Sequence, residues 1–255
     1  MLLGFTKYKS SGNNFIIIDN RDRKYKFTGE QIKFLCDFKN GIGSDGLLVI
    51  NKSKNLDFKL DFYNPDSTKA FCGNGSLCVL HYLRNKKVIG NTSSFSSLKK
   101  KYTAKLNSKI SLKINDIDSF SCVENGYFID SGAPHHIRFV DDSNSYDIEN
   151  EAKLIREYDY YKKKQCNLNL VSFVGSNSIY VRTFEKGVER ETLSCGTGAV
   201  ASVIASSIYK NISINKVITR GGKLNVLFNR VNNYKFTDIY LIGNPKEVFK
   251  GEITL

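Results

Sequence analysis

The 255-residue chain has no tryptophan, one methionine, three prolines and three histidines, two of them adjacent (His135, His136). Its six cysteines, at 36, 72, 78, 122, 166 and 195, form no Cys-x-x-Cys pair. Neither set offers the ligand spacing of a structural zinc site, so no metal is expected. No apolar run approaches the roughly 20 residues of a membrane-spanning helix, and no membrane association is expected. The first residues, MLLGFTKYKSSGNNF, lack the apolar stretch and cleavage site of a signal peptide. The expected location is therefore cytoplasmic, where cysteines persist as reduced thiols.

Negative charge is scarce: 25 Asp and Glu stand against 38 Lys and Arg, a formal net charge of +13. A nucleic-acid surface would gather that excess into a stripe with aromatic platforms. Here the lysines are scattered, with small clusters at 99–101 and 162–164. The abundance of Asn and Ile suits codon bias in an AT-rich genome. The charge is read as a solvated surface, and no nucleic-acid partner is expected. A basic nucleic-acid-binding protein remains the alternative from a different class.

Two short motifs stand out, FCGNG at 71–75 and SCGTG at 194–198. Each places a cysteine before Gly-x-Gly and then a largely apolar segment, LCVLHYL (77–83) or AVASVIASSI (199–208). Both read as a cysteine at the start of a buried helix, where exposed N–H groups and the dipole lower a thiol pKa and attract carboxylates. Other pairs recur at a nearly constant offset: SGNNFIIID (11–19) with SGAPHHIRFVD (131–141), GLLVI (46–50) with NLVSFV (169–174), and LDFYN (60–64) with VRTFE (181–185). Four landmarks in the same order argue for a duplication.

Between the landmarks the pattern is mostly strand. KYTAKL (101–106) and KISLKI (109–114) alternate about Asn107-Ser108 as a hairpin, and KLNVLF (223–228) with FTDIYLI (236–242) repeats the pattern. Helical periodicity marks 29–39 and 147–159. Each half then holds several strands, one outer helix and one buried helix, an α/β (α+β) arrangement with a curled sheet enclosing the apolar helix. The expected division is 1–115 plus 243–255, carrying Cys72, and 116–242, carrying Cys195. GIGSDG (41–46) fits Gly-x-Gly-x-x-Gly but leads from a helix into a strand, the reverse of a dinucleotide site, and reads as a turn.

Cys36, Cys78, Cys122 and Cys166 lack the glycine context and read as core or surface residues. His135 follows a Ser-Gly turn and falls near the candidate site by its place in the repeat. Glu185, shortly before Cys195, has the chemistry to accept a thiol proton or bind an ammonium. Two thiols suit inversion at a carbon bearing hydrogen: one removes the proton while the other supplies one to the opposite face. Amides of Gly73, Asn74, Gly196 and Thr197 would stabilise charge developing on an adjacent carboxylate. No pyridoxal lysine is evident in the sequence, and no cofactor is expected. The expected partner is a small amino-acid substrate.

These residues resemble the diaminopimelate epimerase family nearly end to end. The resemblance runs through GNNF (12–15), GIGSDG (41–46), FYNPD (62–66), CGNG (72–75), PH (134–135), CNLN (166–169), FEKGVERETLSCGTG (184–198) and RGG (220–222). It implies two pseudosymmetric halves, each a β-barrel-like sheet around a central helix, with the active site between them. It also implies cofactor-independent interconversion of LL- and meso-2,6-diaminopimelate for lysine and peptidoglycan synthesis.

By that resemblance Cys72 and Cys195 are the acid/base pair. Asn13, Asn64 and Asn167 are ligands for the substrate's polar groups, and Gly73-Asn74 and Gly196-Thr197 form the carboxylate cradle. Glu185 and His135 lie beside the thiols and the substrate. A homodimer rests on the resemblance alone. Four positions depart from the common pattern: Lys186 for Arg, Ala133 for Asn, Gly46 for Gln and Leu77 for Arg. They bear on substrate affinity rather than on reaction type. The same-fold rival is a thiol racemase acting on proline or hydroxyproline, and a third class is a thiol redox protein.

Overall fold

A computed structural model of the chain describes residues 2–162 and 165–255, so two lysines of the 162–164 cluster lie outside the described residues. The chain folds as two compact units, Met1–Leu112 with Gly243–Leu255, and Lys113–Ile242. Mixed sheet dominates both, with few helices.

The first unit runs β1 (Leu2–Ser10), β2 (Asn13–Asn20), α1 (Gly29–Cys36), β3 (Gly46–Asn51), β4 (Phe58–Tyr63), β5 (Lys69–Ala70), α2 (Gly73–Asn85), β6 (Thr92–Ser97), β7 (Lys100–Leu106) and β8 (Ile110–Lys113). Strand β1 pairs antiparallel with β2, β2 parallel with β3, β3 antiparallel with β4, and β4 parallel with β6. The β7–β8 hairpin pairs Leu106 with Ile110 about Asn107-Ser108, as the alternation predicts. The last strand of the chain, β18 (Lys246–Thr254), returns to pair antiparallel with β1.

Helix α1 begins at a capping box: the Thr28 hydroxyl accepts from Gln31 N–H while the Gln31 side chain accepts from Thr28 N–H. It ends at Cys36, short of the predicted 39. Asp37 turns extended, and its carboxylate accepts from the Lys39 and Asn40 amides, a local bond that competes with another helical turn. Ile32, Leu35 and Cys36 pack on Ile16, Ile18, Leu47 and Val49 of the sheet. On another side of these strands, α2 packs against β1, β2, β3, β7 and β18, and every residue from Gly73 to Leu80 is buried.

The second unit runs β9 (Ser121–Val123), β10 (Gly126–Asp130), β11 (Pro134–Phe139), α3 (Ile148–Arg156), α4 (Asp159–Lys162), β12 (Asn167–Phe173), β13 (Ser178–Glu185), β14 (Arg190–Thr192), α5 (Gly196–Tyr209), β15 (Lys216–Thr219), β16 (Gly222–Arg230) and β17 (Phe236–Gly243). Its pairings repeat the first unit's succession: β10–β11 antiparallel, β11–β12 parallel, β12–β13 antiparallel and β13–β15 parallel. The predicted helix 147–159 stops at Arg156 and resumes as the short α4. Ile148, Ala152 and Ile155 of α3 cover Leu168, Leu170 and Phe184. Helix α5 packs on β10, β11, β12, β13 and β16, and every residue from Gly196 to Ser207 is buried. Its Ala and Ser side chains let those strands approach closely. Among the described residues no helix is long and apolar enough to cross a membrane, and no group of His, Cys, Asp and Glu has the placement to hold a metal.

Candidate active site

Cys72 is the N-cap of α2, with extended backbone (φ −131°, ψ 113°). Its sulfur accepts from Gly75 N–H at 3.3 Å, the bond that a serine hydroxyl makes at an ordinary N-cap. The Ser76 hydroxyl donates to the Cys72 carbonyl at 2.8 Å and secures the first turn. Asn74, 1% exposed, turns its side chain to Asn13, donating from Nδ2 to Oδ1 at 2.8 Å. Asn13 opens β2, directly after the β1–β2 turn at Ser11-Gly12. Asn13, Cys72, Gly73 and Asn74 thus meet at one helix start.

Asn64 belongs to a separate turn after β4, where its Nδ2 donates to the Thr68 hydroxyl at 3.0 Å. Gly46 opens β3 against β4, and a β-carbon there would overlap the Phe62 ring, so this packing leaves no room for a glutamine. Leu77 is fully buried, which makes its departure from the family pattern one of core packing.

Cys195 caps α5 in the same way (φ −120°, ψ 118°), its sulfur accepting from Gly198 N–H at 3.4 Å. The Thr197 hydroxyl lies 3.4 Å from that sulfur and 2.9 Å from His135 Nε2. The Ser131 hydroxyl donates to the Thr197 carbonyl at 2.8 Å.

Strand periodicity builds the rest. His135 on β11 pairs with Asn167 on β12, and Asn169 pairs with Thr183 on β13. Leu168, Leu170 and Phe184 alternate with these residues and face α3, so Asn167, Asn169, Thr183 and Glu185 share the opposite face. On it, Asn169 Nδ2 lies 2.8 Å from His135 Nδ1, and the Thr183 hydroxyl donates to Asn169 Oδ1 at 2.9 Å. Asn167 Oδ1 accepts from Lys186 N–H at 2.8 Å, and the Thr192 hydroxyl donates to Glu185 Oε1 at 2.6 Å. The exposed Lys186 side chain starts where that amide is fixed.

The β13–β14 turn is braced from below. Arg182, 5% exposed, grips both oxygens of Glu191 at 2.8 Å, and Arg220 of the RGG motif reaches Glu191 at 3.1 Å. None of Asn169, Thr183, Thr192 and Arg182 stands among the candidate residues of the sequence, although CNLN contains Asn169 and FEKGVERETLSCGTG contains Thr192. The Asn-x-Asn alternation of CNLN is the one signal for Asn169.

Three buried thiols away from the helix starts, Cys36, Cys78 and Cys166, are held neutral. Burial pushes Cys78 well up, helped by the neighbouring Cys72, and pushes Cys166 to about 12 and Cys36 upward. Both adjacent histidines are neutral in the fold. Burial pulls His135 down to about 3, and burial with the Arg138 charge pulls His136 to about 4.

An unfolded histidine titrates near ~6.5, so acid protonates the unfolded chain first. The stability these rings contribute is complete above about pH 6.5 and is lost as pH falls toward the folded-state values. The melting temperature should therefore drop between about pH 7 and about pH 5. His136→Phe should melt lower at neutral pH, because the Tyr161 hydroxyl loses its 2.8 Å partner, but with a shallower acid slope. Equal slopes would refute this account.

The family model described as diaminopimelate epimerase matches residues 5–113 and 127–248. The chain belongs to the diaminopimelate epimerase family. A diaminopimelate epimerase of Flavobacterium psychrophilum is 38% identical, over 97% of this chain and 98% of that one. Among solved structures, a phenazine biosynthesis protein of the PhzF family from Bacillus anthracis superposes with TM-score 0.74 at 12% identity, covering both chains fully. A probable proline racemase of Agrobacterium radiobacter gives TM-score 0.67 at 12% identity, over 99% of this chain and 93% of that one. These two likenesses show the fold, which family members share with proteins of other names. The choice of substrate therefore rests on the family match and on the site.

Proposed function

We propose that this protein interconverts LL- and meso-2,6-diaminopimelate without a cofactor, with Cys72 and Cys195 as the acid/base pair. The reading rests above all on the near-full-length family match, taken together with two sulfurs that each cap a buried helix. One thiolate removes the α-proton and the other thiol donates a proton to the opposite face, so the roles exchange with direction. The α-carboxylate lies on the amides of Gly73-Asn74 and Gly196-Thr197, where helix N-termini stabilise the carbanionic charge. Asn13, Asn64, Asn167, Glu185 and Lys186 bind the remaining polar groups, the last with one ammonium in place of a bidentate fork. His135 supports the Cys195 side.

The reading extends to a cytoplasmic homodimer acting in lysine and peptidoglycan synthesis. It also extends to two duplicated halves, 1–115 plus 243–255 and 116–242. Incubation with LL-diaminopimelate in deuterated water should give meso product carrying α-deuterium. Exchange with proline or hydroxyproline, and none with diaminopimelate, would overturn the substrate assignment.

A further inference from the structure

The hydrogen bonds around His135 have a direction that the geometry fixes. Asn169 Nδ2 faces the His136 carbonyl oxygen at 3.3 Å, which only an N–H satisfies, and its Oδ1 accepts from Thr183. The atom 2.8 Å from His135 Nδ1 is therefore a donor, and Nδ1 accepts. A neutral ring then carries its proton on Nε2, where it donates to Thr197 Oγ1 at 2.9 Å. Asn167 Nδ2 also lies 3.4 Å from Nε2, but the Asn167 amide is oriented by Lys186 N–H, and the shorter bonds decide the tautomer. With its oxygen accepting from the imidazole, the Thr197 hydroxyl points its own proton at Cys195 Sγ, 3.4 Å away.

Every link donates toward the sulfur: Asn169 to His135, His135 to Thr197, Thr197 to Cys195. His135 and Asn169 are fully buried, so water does not compete for these bonds. The sulfur also accepts from Gly198 N–H at a helix start.

We propose that Cys195 is the thiolate of the resting enzyme, stabilised by the Thr197 hydroxyl at the end of a donor relay from Asn169 through His135. The proposal rests on the acid/base reading above and deepens it. Thr197 touches the reacting sulfur and is a catalytic residue, whereas His135 and Asn169 are positioning residues. No proton travels along the relay; the Cys195 proton leaves to solvent, and the relay holds the charge that remains.

The test uses the full chain without substrate. Ultraviolet thiolate absorbance at neutral pH should vanish in Cys195→Ser and persist in Cys72→Ser. The opposite pattern, or no thiolate signal in the native protein, overturns the assignment. Iodoacetamide alkylation, read peptide by peptide, should slow about tenfold at Cys195 in Thr197→Val, as expected for loss of a hydrogen bond to a charged group. It should change by less than about twofold at Cys72. Thr197→Ser, which restores the hydroxyl, should recover most of the rate. An unchanged Cys195 rate in Thr197→Val, or no recovery in Thr197→Ser, overturns the relay. A native protein that shows the thiolate but incorporates no deuterium from diaminopimelate would refute the substrate reading and leave the relay standing.

Discussion

Cys72→Ser and Cys195→Ser should each lower turnover by about 10³-fold or more while leaving the fold intact. Serine is a better N-cap than cysteine and keeps the bond to the third amide of its helix, Gly75 N–H for Cys72 and Gly198 N–H for Cys195. The folded protein therefore keeps its N-cap bonds, and its melting temperature should hold or rise. What disappears is the thiol that would take or give the α-proton. A structural role for the thiols predicts the reverse, a changed melting temperature with activity kept. The variants also separate the two steps. Each should lose inversion, yet retain α-hydrogen exchange with the one epimer whose proton faces the surviving thiol. Full inversion by either variant would end the two-thiol account.

The second large effect is at Gly198. Alanine favours a helix over glycine by up to about 1 kcal/mol, so an unobstructed site would gain stability. Here a β-carbon would stand 2.5 Å from Asn169 Oδ1 and 3.3 Å from both Cys195 Cβ and His135 Cε1. Asn169 has no room to retreat, because Thr183 and His135 hold both ends of its amide. Gly198→Ala should destabilise the protein by about 1–3 kcal/mol and suppress activity together with it. A higher melting temperature would show that the strand face is not packed on the start of α5 as described.

Much of this is legible in the sequence. The Cys-Gly-x-Gly motifs announce two helix starts, and each cysteine is an N-cap. The paired landmarks fall on β2 and β11, β3 and β12, β4 and β13, and α2 and α5. GIGSDG leads into β3 as a turn rather than into a helix. Helix ends are less legible, because apolar periodicity registers neither the Asp37 carboxylate accepting from the amides that follow it nor the tightening of α3 onto the Leu154 carbonyl at Glu157.

The polar face behind Cys195 is the larger omission. Asn169, Thr183 and Thr192 are ordinary strand residues in isolation, and only the pairing of β12, β13 and β14 gathers them. Nothing in the sequence pairs Arg182 with Glu191, and the buried guanidinium also donates to the Ser143 and Tyr146 carbonyls.

The pairing of β18 with β1 has a consequence for biogenesis. Helix α2, with Cys72 at its head, packs against both of these strands. The segment of the first unit made earliest therefore waits for Lys246–Thr254, which the ribosome adds after the whole of the second unit, while the second unit has all its strands in hand by Gly243. Co-translational folding here should run out of chain order, with the Cys195 region able to mature before the Cys72 region.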